Sequence, residues 1–246
     1  MSVLEWQIAT VREIRPETAK VKSFTFALPR WMKHRAGQHY DLRLTAADGY
    51  RAQRSYSIAS APEREGAIDL TIEHVEDGEV STFMHETVTT GDRIELRGPI
   101  GGYFVWDAAA QAAPLLLIAG GSGVVPMMSM LRHRAAAGAR TPARLLFSSR
   151  TIDDVIYREE LDTLSKKRDG LDVFHTLTRS QPSGWSGFAR RIDDAMLGEV
   201  SGPIAKDALV FICGPTALVE SVASSLERIG IPAARIKTER FGPTGT

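Results

Sequence analysis

Cysteine is almost absent from this chain, which has only Cys213. A disulfide within the chain is therefore impossible, and so are zinc or iron–sulfur sites that need several thiolates. No metal site is expected. Net charge is absent as well. Thirty Lys and Arg balance thirty Asp and Glu, which removes the electrostatic argument for a nucleic-acid or anionic-membrane partner. Long apolar runs are also missing. The first 17 residues carry Glu5, Arg12, Glu13 and Arg15 and no signal-peptide core, and the longest apolar run, Ala112 to Ala119, is far too short to span a bilayer. The expectation is a cytoplasmic protein. No repeat of solenoid length and no low-complexity segment is present.

What remains is ordinary globular material. At 246 residues, 43% hydrophobic and 24% charged, the chain suits two domains of usual size. From Glu5 to about Trp106, short alternating runs such as Lys22–Ala27 and Ala67–Ile72 are punctuated by Gly37, Asp48-Gly49, Asp77-Gly78 and Gly91-Asp92. That pattern predicts a small antiparallel β-barrel over residues 1–107. After Ala108–Ala113 the texture changes to apolar strands (Pro114–Ala119, Ala143–Ser148) alternating with helical stretches (Pro126–Ala137, Val155–Lys166). Further strands are predicted at Asp172–Leu177 and Ala208–Cys213, with a helix from Thr216 to about Ile229. This βαβ rhythm predicts a Rossmann-like parallel-sheet α/β domain over residues 108–246.

The first parallel strand runs into Gly120-Gly121-Ser122-Gly123 and then a helix. Bare backbone N–H groups and a helix N-terminus there suit a pyrophosphate. The turn departs from the usual dinucleotide fingerprint, because Val124, Val125 and Pro126 stand where a last glycine is expected. A tight turn needing only small residues would read the same. A hydrolase nucleophile elbow is excluded, because Gly-x-Ser-x-Gly requires glycine at position 124.

Arg54-Ser55-Tyr56-Ser57 lies directly before Ile58-Ala59-Ser60 and resembles the Arg-x-Tyr-Ser flavin motif of the ferredoxin–NADP⁺ reductase superfamily. Gly78-Glu79-Val80-Ser81-Thr82, Gly98-Pro99-Ile100-Gly101, Gly120–Pro126 and Cys213-Gly214-Pro215 agree in order and spacing. Glu239-Arg240-Phe241-Gly242 is similar to the oxygenase-reductase branch. The resemblance implies an N-terminal FAD-binding barrel followed by an NAD(P)H-binding domain, in an enzyme that takes hydride from NAD(P)H onto FAD and passes electrons on.

The residue types suit that chemistry. A flavin needs a flat partner for one ring face, donors for its diphosphate and a donor near N5; Tyr56, Arg54 and Ser57 supply these. Alternation places 54 and 56 on one strand face and 55 and 57 on the other, so Ser57 reaches the ring only at a strand end or through its amide. An exposed strand face with an ordinary cross-strand pair would also account for Arg54 and Tyr56. By resemblance, Ser81 and Thr82 follow a phosphate-contacting turn, Ile72, Glu73 and His74 border the FAD, and Cys213 sits beside the nicotinamide C4. Glu239 and Phe241 match positions near the flavin ring. His74 reads as a bordering residue, and Ser57, Cys213 and Glu239 are the candidate catalytic residues. Cys213 as a small buried hydrophobe, and Glu239 on a fraying tail, are the competing readings.

A ribose 2′-phosphate wants arginine, whereas a free 2′-OH is usually met by a carboxylate. The strand ends carry Ser148-Ser149-Arg150 and Thr178-Arg179 with no acid at either tip, which favours NADPH over NADH, although Asp153 and Asp154 lie just downstream. Relatives in the oxygenase branch often carry a ferredoxin domain after the motif at 239–242. One cysteine cannot hold its cluster, so the expected acceptor is a separate ferredoxin, flavodoxin, haem or molybdenum protein, or a small molecule such as free flavin or O₂. A nucleotide sensor that keeps the fold without turnover is the rival reading.

Overall fold

The computed structural model describes residues 4–241. The chain divides into two compact units. One runs up to Asp107 and is joined by Met128–Ala136; the other comprises Ala108–Met127 and the chain from Ala137 onward.

The first unit is an antiparallel six-stranded sheet, β1 (Gln7–Thr18), β2 (Val21–Ala27), β3 (His39–Thr45), β4 (Arg51–Ser57), β5 (Ala67–Glu73) and β6 (Arg93–Ile100), in the order β4-β3-β6-β1-β2-β5. Its two edge strands meet: an isolated bridge joins Ile58 to Leu70, and the Ala59 amide donates to the Asp69 carbonyl at 2.8 Å, closing the barrel. Strand alternation fills the interior with Phe24, Phe26, Tyr40, Leu42, Ile68, Leu70, Ile72 and Leu96, all fully buried. A short helix, α1 (Glu79–Glu86), packs Val80 and Met84 onto this core. The sequence pattern did not announce it, because eight residues after a glycine turn give only two helical periods.

The second unit holds five parallel strands, β7 (Leu115–Gly120), β8 (Ala143–Ser149), β9 (Leu171–Leu177), β10 (Leu209–Pro215) and β11 (Ile236–Phe241), in the order β11-β10-β7-β8-β9. The chain winds outward from β7 to β9 and then returns to the other side of β7, so a topological switch lies between β7 and β10. Open α/β sheets bind ligands at such a point, beyond the carboxyl ends of the strands. The helices are α2 (Val124–Ala136), α3 (Arg158–Lys166), α4 (Asp194–Ser201) and α5 (Thr216–Arg228). α3 starts three residues later than the pattern predicts, because Tyr157 takes a left-handed conformation (φ 58°) while Val155, Ile156 and Tyr157 are buried in the core. β11 was expected only as a chain end; it is an edge strand paired in parallel with β10. Among the described residues no helix is long and apolar enough to cross a membrane.

Candidate functional site

In the first unit, β4 carries the flavin-motif residues. Tyr56 stands opposite Tyr40 on β3 and packs partly buried against the barrel core; burial pushes its phenol up to about 12, so it is a neutral ring surface. Arg54 lies on the same strand face and is exposed, and its Nη1 donates only to the neighbouring Gln53 carbonyl, at 2.7 Å. Ser55 faces the other way. Its hydroxyl donates to Asp41 Oδ1 at 2.6 Å, and Arg97 Nη2 donates to Asp41 Oδ2 at 2.7 Å. Burial alone would raise the Asp41 carboxyl, but these two donors outweigh it and hold the carboxyl below its ordinary value. Ser55 is thus a tie between β3 and β4, and Asp41, which the motif does not mention, anchors the strand from behind. Ser57 is the last residue of β4, opposite His39, at the strand end its proposed role requires.

The second segment of the motif lies at α1. Ile72 and Val80 point into the core, so only their main chains face outward. The Ser81 hydroxyl accepts from the Val75 amide at 3.1 Å and donates to the Gly78 carbonyl at 3.0 Å, which folds the Gly78 turn onto the helix. No side chain caps α1, so its first-turn N–H groups are what it offers an anion. Thr82 Oγ1 lies 3.2 Å from His74 Nε2, and Glu73 is partly buried beside it in sequence. Gly98 is explained by packing: a Cβ there would stand 2.7 Å from the Tyr40 ring. An exposed guanidinium, an uncapped helix start and a neutral ring in one unit fit a flavin diphosphate and its ring system.

In the second unit the switch brings Gly120, Gly121, Ser122, Gly123 and Pro126 together with Cys213, Gly214 and Pro215. A Cβ on Gly123 would lie 2.1 Å from the Cys213 carbonyl oxygen, so only glycine lets the turn pack on the end of β10. Gly121 has φ 54° and nothing within 4 Å of an added Cβ, which leaves space above the turn. On the next strand, Glu239 pairs in register with Cys213, and Phe241 with Pro215. Burial pushes the Glu239 carboxyl up to about 7; burial, and then Glu239 itself, push the Cys213 thiol well above its ordinary value. Neither residue lies on a frayed tail. Gly242, the last residue of that motif, lies outside the described residues.

The strand tips of β8 and β9 meet as well. The Thr178 amide donates to the Ser149 carbonyl at 3.0 Å and the Arg179 amide to the Arg150 carbonyl at 2.9 Å, so the two arginines stand on adjacent tips. Both are exposed and neither is in an ion pair among the described residues. The Ser149 hydroxyl is buried without a hydrogen-bond partner, a polar group that a ligand would satisfy. Asp154 is taken: its Oδ2 accepts from the Thr151 amide at 3.0 Å and the Thr151 hydroxyl at 2.8 Å.

Comparison with known proteins agrees with this arrangement. Residues 9–105 match the oxidoreductase FAD-binding domain, and residues 117–224 the oxidoreductase NAD-binding domain. The chain is 36% identical to ferredoxin–NADP reductase B of Sorangium cellulosum, over 94% of this chain and 91% of that one. It is 32% identical to the glycine betaine monooxygenase reductase subunit of Chromohalobacter salexigens, over 93% of this chain; it spans 62% of that relative's length. The fold superposes on the flavohaem-like FAD/NAD-binding domain of a nitric oxide dioxygenase from Vibrio cholerae with a TM-score of 0.85 at 24% identity, covering 96% of this chain and 99% of that one.

Proposed function

Because this chain belongs to the ferredoxin–NADP⁺ reductase superfamily, we propose that it is a flavoprotein that oxidises NAD(P)H, NADPH by preference, and delivers electrons to a separate acceptor. A bound FAD supplies a two-electron entry for hydride and a one-electron exit. In the first unit Tyr56 backs the ring system, while Arg54 and the first-turn amides of α1 receive the diphosphate. In the second unit the Gly120–Gly123 turn receives the nucleotide pyrophosphate, and Cys213 bounds the nicotinamide.

The observation that carries this reading is the switch point, where a glycine turn open to solvent at Gly121 is locked against the Cys213–Pro215 strand end. NADPH is supported by Arg150 and Arg179 on adjacent tips, with Asp154 engaged in its cap. The acceptor belongs to the classes that the relatives' names point to: a ferredoxin or the oxygenase component of a monooxygenase. A cytoplasmic location goes with this reading.

The test is the visible spectrum of the purified protein, followed by anaerobic addition of NADPH and of NADH. Oxidised flavin absorbs near ~450 nm and bleaches when reduced. Bleaching by NADPH followed by turnover with ferricyanide supports the proposal. A stably flavinated protein that neither nucleotide bleaches would make it a binding protein instead.

A further inference from the structure

The first unit holds a cavity that the flavin motif leaves unused. It encloses about 790 Å³ between the β3–β4 hairpin, β6 and one side of α1, within the size range of small-molecule sites. Leu44, Ala52 and Ile94 form an apolar part of its lining. Two rings border it, Tyr50 at 57% and Phe83 at 40% exposure, both among the few large apolar side chains left this open to solvent. Tyr50 OH donates to Glu79 Oε2 at 3.0 Å, joining hairpin to helix at the rim.

β4 gives this cavity a direction. Ala52, Arg54 and Tyr56 share one strand face, and each two-residue step advances about 6.8 Å. That face therefore reads, in line, as ring platform, cation and cavity lining. A dinucleotide flavin has the same order of parts: ring system, diphosphate, adenosine. The opposite wall is supplied by Glu79 and Thr82 of α1, the helix whose uncapped start offers N–H groups to phosphate.

We propose that this cavity takes the adenosine half of FAD, an inference that rests on the flavin reading above. A purine has flat apolar faces for Tyr50 and Phe83 and an exocyclic amine for the Glu79 carboxylate, and ribose hydroxyls are donors for Asp77. FMN carries none of these groups. The cavity is thus what makes the chain select FAD over FMN.

The test uses the full-length chain freed of flavin and titrated with FAD or FMN while flavin fluorescence is followed. The wild type binds FAD at least about tenfold more tightly than FMN. Tyr50→Ala and Phe83→Ala each weaken FAD binding about tenfold and leave FMN binding unchanged. Hydrogen exchange on the wild type needs no variant to fold: FAD, and not FMN, slows the amides of residues 44–52 and 79–87. Equal affinity for both flavins, equal loss of both in the variants, or no FAD-specific protection overturns the proposal and leaves the flavin reading standing. Failure to bind either flavin overturns both.

Discussion

Cys213 and Glu239 stand opposite each other across the parallel pair β10–β11, a buried thiol beside a carboxyl that burial raises to about 7. The folded carboxyl holds its proton more tightly than the unfolded one, whose ordinary value is 4.5. Its contribution to stability is therefore fully present below about pH 4.5 and is lost as pH rises through about 7. Glu239→Gln should flatten the decline in stability between about pH 5 and pH 8 in denaturant titrations. An unchanged slope in the variant would show that Glu239 does not titrate in this range.

The glycine turn makes a prediction about packing. Gly123→Ala drives a Cβ to 2.1 Å from a backbone carbonyl, where nothing flexible can yield, and should cost about 3 kcal/mol. Gly121→Ala meets no atom and suffers only its left-handed backbone, about 1 kcal/mol. Chemical denaturation of the two variants gives the order directly. The reverse order would mean that the turn is not held against β10.

The adjacent tips of β8 and β9 predict nucleotide choice. Arg150→Ala and Arg179→Ala should each raise the KM for NADPH about 10- to 100-fold, from the loss of roughly 1.5–3 kcal/mol of charge-assisted contact, with little change for NADH. Steady-state kinetics with both nucleotides separates the effects. A wild type that already prefers NADH would refute the assignment.

Much of this was legible before any coordinates. The barrel, the βαβ rhythm and the strand tips follow from periods that are long relative to noise. α1, α4 and β11 were not visible, because six to eight residues give too few periods to separate helix, strand and coil. The flavin motif named Arg54, Tyr56 and Ser57, but Asp41 lies 14 residues from its partner Ser55, and only strand register brings them together. The Ser149 hydroxyl and the Tyr50–Phe83 cavity are likewise products of burial, which sequence spacing does not encode.

Hydride transfer is governed by position rather than by covalent chemistry. Ser57→Ala and Cys213→Ala should each slow flavin reduction by NADPH about tenfold or more, equivalent to about 1.4 kcal/mol, with smaller effects on nucleotide binding. Anaerobic stopped-flow on variants with verified flavin content measures this. Unchanged rates in both would reduce these residues to packing.

The place of β7 in its sheet bears on how the protein is made. Its six residues are buried at every position, and it pairs with β8 on one side and with β10 on the other. On the ribosome β8 follows soon after, but the other neighbour is not synthesised until Leu209–Pro215. Through that interval an apolar strand presents an unpaired edge, the geometry that recruits strands from other molecules. Chains interrupted before β10 should therefore associate through Leu115–Gly120, and chaperone demand in the growing chain is concentrated on the strand that later forms one side of the switch point.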